Sequence, residues 1–236
     1  MRWPSAAVDR RTLLIGGGAG VGLIVALVAW PRREGSPLRG AAGEQVFGPY
    51  LRIGSDGRVT VAVPQAETGQ GAWTGLAQVV ADELGAAWET VAVEPAPIAP
   101  AYRNTVIGET RLTAQSSSIR AFEAPMREAA AVARAMLSAA AAKRWKIDAS
   151  ECQTRDGFVI GGTQRLAFGD LADQAARIGP PPTAMLRDGA LAGRALPRLD
   201  LPTKSDGSLR FAGDVRLPGL RFASVRIAPP GGRLTA

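Results

Sequence analysis

A glycine-rich loop that leads directly into a helical pattern constrains the fold of this chain more than any other stretch. Residues 64–85 read PQAETGQGAWTGLAQVVADELG. The apolar residues of the pattern recur at the helical period on one face: Leu76, Val79, Val80 and Leu84. Gly69, Gln70 and Gly71 therefore lie where the first free amide groups of the helix point. Such a helix end attracts anions, because its unpaired N–H groups and the helix dipole favour a phosphate or pyrophosphate. An ordinary tight turn is the alternative interpretation.

Strand patterns lie on both sides of this loop and helix. Residues 50–53 and 58–63 form two strands around a turn at residues 54–57, and the alternation in the second strand predicts a half-buried hairpin. Gly85 closes the helix in the left-handed cap position, and residues 90–94 form a third strand. The sequence thus predicts an α+β fold that opens with a β-β-α-β unit.

A second, alanine-rich helix is predicted from residue 125 to residue 145, with Pro125 in its first turn. Its apolar stripe is Met126, Ala130, Ala133, Leu137, Ala140 and Ala141. No acid or nucleophile projects from this stripe, so we interpret the helix as structural. Three serines at residues 116–118 precede it, and their hydroxyl groups either cap the helix or donate to a phosphate or a polar heterocycle.

The pattern changes after the second helix. Residues 151–160 predict a hairpin around Asp156-Gly157, with Cys152 as a small buried residue in its first strand. A short helix follows at residues 171–178, and the prolines at residues 180–182 break the chain. Short strands are then predicted at residues 209–211, 215–217 and 222–227. These strands indicate a second domain of which the sequence holds only the start.

The predicted domain boundaries follow these changes in composition. We divide the chain into a signal or anchor at residues 1–31, a linker at 32–47, an α+β domain at 48–179, a linker at 180–195, and the start of a second domain at 196–236.

The N-terminus carries an apolar segment behind basic residues. Residues 12–30 hold no charge and follow Arg10 and Arg11, and at about 1.5 Å per residue such a helix just crosses a bilayer. The string DRRTLL resembles a twin-arginine export signal. Trp30 and the two arginines at residues 32–33 end the run abruptly, which favours an uncleaved anchor. We therefore expect an N-terminal apolar helix that anchors the protein to the inner membrane at its periplasmic face, or else export to the periplasm.

Composition excludes several kinds of site. The 236 residues include no histidine, and Cys152 is the only cysteine, so a disulfide, a zinc site built from His and Cys, an iron–sulfur cluster held by this chain alone and a histidine-based triad are all excluded. The net charge of +7 comes mostly from arginines scattered singly along the chain. This distribution indicates a solvated basic surface and no nucleic-acid partner.

Four stretches in this order resemble one family. They are PQAETGQGAWTGLAQVVADELG, TAQSSSIR, REAAAVARAMLSAAAAKRW and PRLDLPTKSDGSLRFAGDVRLPGLRFASVRIAP. Together they resemble the large, molybdopterin-binding subunit of the xanthine dehydrogenase and aldehyde oxidase family, of the type found in the beta subunit of isoquinoline 1-oxidoreductase. The resemblance implies a molybdopterin-binding-type α+β domain, followed by the start of an α/β hammerhead-like domain.

The resemblance also implies which residues bind the cofactor. Residues 69–71 match the loop that lies against the pterin and its pyrophosphate, and Thr74 and Gln78 follow on the same helix. Residues 115–118 match a second polar segment near the cofactor. The implied cofactor-binding set is Gly69, Gln70, Gly71, Thr74, Gln78, Gln115, Ser116, Ser117 and Ser118. The implied cofactor is molybdopterin, in its cytosine dinucleotide form, which carries molybdenum on its dithiolene, so no metal-binding side chain is expected.

The family reaction hydroxylates an aldehyde or a nitrogen heterocycle with water as the oxygen source. Electrons leave through a separate [2Fe-2S] subunit, and a c-type cytochrome is a candidate acceptor. The family's catalytic glutamate lies near the C-terminal end of much longer chains, so we expect no catalytic residue here and expect this N-terminal fragment to be inactive alone. The alternative is a membrane-anchored binding or assembly module without catalysis.

Overall fold

The fold is built on a four-stranded sheet in the computed structural model, which describes residues 36–233 and residue 235. The strands lie in chain order: β1 (Glu44–Phe47), β2 (Leu51–Gly54), β3 (Val59–Val63) and β4 (Val91–Pro95). The first three strands pair antiparallel, whereas β3 and β4 are parallel. A parallel pair needs a crossover connection, and α1 (Ala72–Leu84) supplies it. The predicted loop therefore lies between β3 and α1.

The sheet corrects two expectations about the opening unit. The predicted β-β-α-β unit gains an N-terminal strand, since β1 lies inside the stretch assigned to the linker at residues 32–47 and pairs with β2. The hairpin was expected to be half-buried, yet all five residues of β3 are buried. Val59, Val61 and Val63 belong to the main core, and Thr60 and Ala62, on the opposite face, are also covered.

Two long helices form the centre of the core. The helix α2 (Ser118–Trp145) packs against α1. Every residue of its predicted apolar stripe is buried. On α1 the residues Leu76, Val80 and Leu84 are fully buried, while Val79 is only half-buried.

The start of α2 differs from the prediction by almost two turns. The helix begins at Ser118, so Pro125 lies inside it rather than in its first turn. Proline has no N–H to donate to the carbonyl group one turn earlier, and an interior position is therefore costly. Phe122 and Met126 flank this position and are almost completely buried. We attribute the continuation of the helix to their burial in the core.

A second sheet and a third, shorter helix complete this part of the fold. The strands are β5 (Gln153–Arg155), β6 (Phe158–Gly161) and β7 (Gln164–Ala167), and α3 (Phe168–Ile178) follows directly. The hairpin around Asp156-Gly157 is confirmed, whereas β7 was not predicted. Cys152 lies just before β5 rather than inside a strand, and it is half-buried.

The segment at residues 185–194, all of it assigned to a linker, is held on α1 by charged side chains. The Asp82 carboxylate accepts hydrogen bonds from the amides of Ala190, Leu191 and Ala192 at 2.6, 2.8 and 2.9 Å. Burial raises the pKa of Asp82, but these amides outweigh it, so the pKa is lowered overall. Next to it, the buried Glu83 pairs with two arginines of α2, Arg127 at 2.9 Å and Arg134 at 2.7 Å.

The strands expected beyond residue 205 are absent. The residues 206–233 that the structure describes contain a single 3-10 turn, Ala212–Asp214, and no strand. A strand forms when a neighbour shares its backbone hydrogen bonds, and neither described sheet pairs with this segment. Its large apolar side chains, among them Phe222 and Ile227, are exposed.

The predicted N-terminal apolar helix lies outside the described residues. Between residues 36 and 233 no helix is both long and apolar enough to cross a membrane. A short helix near the C-terminal end, α4 (Leu201–Ser205), is the last of the helices described.

We expect Gly169→Ala to destabilise the protein although glycine is a poor helix former. A Cβ at Gly169 would meet the carbonyl oxygen of Ser55 at 2.4 Å and the amide of Gly57 at 2.8 Å. Helix propensity favours alanine by about 1 kcal/mol, but such close contacts with rigid backbone place the cost of crowding in the upper part of its usual range, at about 2–3 kcal/mol. The free energy of unfolding in urea should therefore fall by about 1–2 kcal/mol. Gly213→Ala is the matched control, because its Cβ would meet nothing within 4 Å; an unchanged Gly169→Ala protein would contradict this packing.

Candidate functional site

A carboxylate of the chain itself occupies the amide groups at the start of α1. The side chain of Glu67 accepts hydrogen bonds from the amides of Gly69 at 2.8 Å, Gly71 at 3.0 Å and Trp73 at 3.1 Å. These donors include those that the sequence pattern assigned to a phosphate. Burial raises the pKa of Glu67, but the three amides together outweigh it, so its pKa is lowered. The anion at this helix end is therefore Glu67 of the chain itself, and the phosphate expected there stays a prediction.

Two cations and a second carboxylate surround Glu67. The guanidinium group of Arg198 lies 3.3 Å from the Glu67 Oε1 atom and pairs with Asp200 at 2.9 Å. Lys204 lies 2.5 Å from Asp200 and 3.9 Å from Glu67. The hydrogen bond from Arg198, followed by that from Lys204 and opposed by burial, lowers the pKa of Asp200 to about 2. The four side chains balance to a net charge of zero when all are ionised.

The loop exposes backbone rather than side chains. Gly69 and Gly71 have φ angles of 100° and 82°, and an added Cβ at either would meet nothing within 4 Å, so the space in front of them is open. The side chain of Gln70 is bonded inside the loop, to the Ala66 carbonyl at 2.8 Å and to the Thr68 amide at 2.6 Å. The backbone amide of Gln70 makes no hydrogen bond within the described part of the chain.

Thr74 and Gln78 hold another part of the protein. The Thr74 hydroxyl oxygen accepts a hydrogen bond from the Leu199 amide at 3.1 Å. The side-chain amide of Gln78 donates to the carbonyl groups of Leu191 at 2.6 Å and Arg194 at 3.1 Å. Together with Asp82, these residues form a polar stripe at every fourth position of α1. The stripe binds several points of residues 190–204, which we call the C-terminal segment.

The structure brings the two predicted cofactor segments together. The Ser118 hydroxyl donates to the Gln65 side chain at 2.9 Å, and the Ala66 amide donates to the Thr113 hydroxyl at 2.9 Å. Gln115 and Ser116 are exposed and have positive φ angles of 56° and 49°, as expected for a tight polar turn. This turn therefore lies beside the glycine-rich loop.

The serines differ in what they contact. Ser117 is fully buried, its hydroxyl donates to the Ala114 carbonyl at 2.5 Å, and it accepts from the Asn104 side chain at 2.8 Å. Ser117 occupies the residue before α2 but makes no side-chain hydrogen bond to the helix. The predicted hydroxyl cap at this position is therefore wrong. Its hydroxyl instead holds the turn to Asn104.

Sequence reasoning missed the residues that organise this site. Gln65 and Asn104 are buried side chains that tie the loop and the turn together, and Arg198 reaches Glu67 from 131 positions away. The spacing of Thr74, Gln78 and Asp82 is a visible signal, because residues four apart share a helix face. The pattern does not reveal its partner, which lies more than 100 residues along the chain.

The exposed groups fit a polar ligand that approaches the loop from outside. The available groups are the backbone amide of Gln70, the open side of Gly69 and Gly71, and the exposed side chains of Gln115 and Ser116. A phosphate could reach the amides of Gly69, Gly71 and Trp73 only by displacing Glu67. No cluster of His, Cys, Asp or Glu side chains within residues 36–233 is arranged to hold a metal ion.

Comparison with known families decides the kind of protein. The family model of the molybdopterin cofactor-binding domain matches residues 17–194. The chain belongs to this family. The molybdopterin-binding family was expected from the four sequence stretches, and this expectation is confirmed.

The relatives of this molybdopterin-binding chain are oxidoreductases or parts of them. It is 30% identical over 84% of its length to the beta subunit of isoquinoline 1-oxidoreductase from Brevundimonas diminuta, and 30% identical over 79% to a subunit of nicotinate dehydrogenase from Pseudomonas putida. It is 26% identical over 81% of its length to a membrane-bound aldehyde dehydrogenase from Gluconacetobacter polyoxogenes. The name of that enzyme includes pyrroloquinoline quinone. The chain covers 30%, 16% and 25% of these proteins.

A solved structure of quinoline 2-oxidoreductase from Pseudomonas putida 86 is also similar. The identity is 22% and the TM-score is 0.42, over 59% of this chain and 18% of that one.

Glu67→Gln should remove a stabilising contribution that depends on pH. Because the pKa of Glu67 is lowered from 4.5 by folding, its contribution is present above about pH 4.5 and lost as pH falls through the folded-state pKa. At pH 7 we expect the free energy of unfolding of the variant to be about 1 kcal/mol lower than that of the unaltered chain. This difference should shrink towards pH 3. Denaturant unfolding at both pH values measures it. Glu89→Gln removes an exposed carboxylate and is the control; the same small loss in both variants at pH 7 would refute the cap.

Proposed function

We propose that this chain supplies part of the molybdopterin site in a molybdenum hydroxylase that oxidises nitrogen heterocycles or aldehydes with water as the oxygen source. Membership of the molybdopterin cofactor-binding family supports the cofactor. The names of the relatives, which refer to isoquinoline, nicotinate and aldehydes, support the substrate class. The single observation that carries the proposal is the meeting of the glycine-rich loop and the polar turn through Gln65 and Ser118.

The proposed contacts begin with the exposed members of the expected set. The Gln70 amide and the open faces of Gly69 and Gly71 offer backbone close to the ligand, since no Cβ stands in the way. Gln115 and Ser116 offer exposed polar side chains beside the loop. Bound molybdopterin supplies the redox chemistry, while these residues bind and orient it. Thr74, Gln78, Ser117 and Ser118 then act by holding the loop and the turn in position.

The remaining parts of the enzyme are proposed from the family resemblance. They are a [2Fe-2S] subunit that takes the electrons, a c-type cytochrome as acceptor, the cytosine dinucleotide form of the cofactor, and a catalytic glutamate outside this chain. We also propose that the chain is inactive alone, that residues 196–236 belong to a hammerhead-like domain, and that residues 1–31 place the protein at the periplasmic face of the inner membrane.

The position of Glu67 favours a second candidate function. Its carboxylate already satisfies the three amides that would otherwise attract a phosphate. A binding or assembly module without catalysis, anchored to the membrane, needs the loop only as a structural turn. The two candidates differ in whether the open face of the loop contacts cofactor.

Gly71→Asn should separate these candidates. Asparagine tolerates the left-handed conformation of this position, and its side chain would extend into the open space in front of the loop. In the holoenzyme we expect the variant to lose most of its molybdenum and pterin while the thermal unfolding midpoint stays within a few degrees. Metal analysis and pterin fluorescence after oxidation measure the loss.

Gly162→Asn provides the matched control for this experiment. Gly162 also has a positive φ angle and open space around it, but it lies in the turn between β6 and β7. We expect this control to keep its cofactor. Equal molybdenum content in both variants would refute the proposed function, and so would an absence of molybdenum from the unaltered enzyme. The second candidate, in which the loop is only a structural turn, would then remain.

A further inference from the structure

A stretch of the C-terminal segment crosses the start of α1. We call residues 197–204 the strap. The indole N–H of Trp88 donates to the Pro197 carbonyl at 3.2 Å, and the Leu199 amide donates to the Thr74 hydroxyl at 3.1 Å. These two bonds place Arg198, the residue between them, over the loop. The strap is thus held at fixed points on either side of Arg198.

Arg198 contacts both the backbone and the carboxylate of the loop. Its guanidinium group donates to the Gly69 carbonyl at 3.1 Å and to the Glu67 carboxylate at 3.3 Å. Two further bonds, at 3.0 and 2.9 Å, form a fork with Asp200. A planar guanidinium group makes such simultaneous contacts, whereas an ammonium group cannot reproduce the fork.

The charges around Glu67 explain why a cation is required there. The side chains of Glu67 and Asp200 are each only 4% exposed, and like charges in such surroundings repel strongly. Arg198 and Lys204 are the cations that face them. Without Arg198 two nearly buried carboxylates would share one lysine. Glu67 would then be driven away from the amides that it caps.

We propose that Arg198 is a positioning residue for the cofactor-binding loop: it holds the Glu67 carboxylate on the loop amides and neutralises the cluster for an approaching diphosphate group. The loop geometry supports the first role by itself. The second role rests on the proposed function. A neutral cluster removes the repulsion that Glu67 and Asp200 would otherwise exert on a phosphate at the open face of the loop.

Hydrogen exchange in the full chain tests the first role. Arg198→Gln should raise the exchange rate of the amides of Gly69, Gly71 and Trp73 about ten-fold, as expected when a charge-assisted contact is lost. Arg198→Lys should restore part of the protection. Arg194→Gln removes an exposed arginine from the same segment and should leave exchange unchanged. In a Glu67→Gln background, Arg198→Gln should add little, because the two residues act through one contact.

The pH dependence distinguishes positioning from a general loss of stability. Protection of the three amides should fall in acid as Glu67 takes up a proton, and Arg198→Gln should move this loss to higher pH, because removing a cation raises the pKa of a carboxyl group. Equal exchange in Arg198→Gln and the unaltered chain, or an unshifted pH profile, would overturn the proposal. If Arg198→Gln fails to fold, Arg198→Lys tests the fork alone, because it keeps the charge and loses the planar group; amide exchange equal to that of the unaltered chain would then overturn the proposal.

Binding of inorganic pyrophosphate tests the second role and separates it from the proposed function. Titration calorimetry should show weaker binding to Arg198→Gln than to Arg194→Gln, which removes an equal charge. Equal binding to these two variants would overturn the neutralising role of Arg198. A lack of binding to the unaltered chain would count against the proposed site, while hydrogen exchange would still decide the positioning role.

Discussion

The bond between the Glu67 carboxylate and the first amides of α1 is the interaction on which the candidate site depends. A helix begins with amide groups that have no partner within the helix, and here one side chain satisfies those of Gly71 and Trp73 as well as that of Gly69. Two of the three donors are glycines in the left-handed conformation. The carboxylate therefore fixes the helix start and the shape of the loop at the same time. A change that displaces it alters both.

The other polar contacts of α1 extend the same arrangement along the helix. Thr74, Gln78 and Asp82 bind the C-terminal segment at successive turns, and the opposite face carries the apolar residues of the core. At the C-terminal end, Glu83 is buried with two arginines of α2. Removing Glu83 would leave both arginines without the carboxylate that compensates them. The helix is thus held by apolar packing on one face and by long-range polar contacts on the other.

The features of the fold that depend on neighbouring residues were predicted from the sequence. The apolar stripe of α2, the hairpin of β2 and β3 and the left-handed Gly85 cap follow from periodicity and turn chemistry, and the structure contains them. Short β-like stretches at residues 209–211, 215–217 and 222–227 also predicted strands, yet a strand depends on a partner that such a stretch does not specify. The short strand β1 was missed because glycine and alanine dominate its surroundings.

The two segments of the candidate site were named from the sequence, but the contacts that join them were not. The resemblance located the loop and the turn, and the structure places them side by side through Gln65 and Ser118. The role of Glu67 was not visible in the sequence, since a carboxylate two residues before a glycine has no characteristic pattern. Arg198 was missed for a related reason, because its contact with Glu67 spans 131 positions. Contacts of this length depend on the packing of the whole chain.

The polar stripe of α1 limits how a ligand can use this loop. Thr74 and Gln78 match cofactor-binding positions by resemblance, yet both are bonded to the C-terminal segment, Gln78 at 2.6 Å. Direct contact with a ligand would require breaking these bonds and displacing the strap that carries Arg198. The exposed Gln70 amide and the neighbouring turn at Gln115 and Ser116 require no such rearrangement. A ligand that approached from the exposed side would therefore leave the Glu67 cap intact, whereas a phosphate at the helix amides would have to displace that carboxylate.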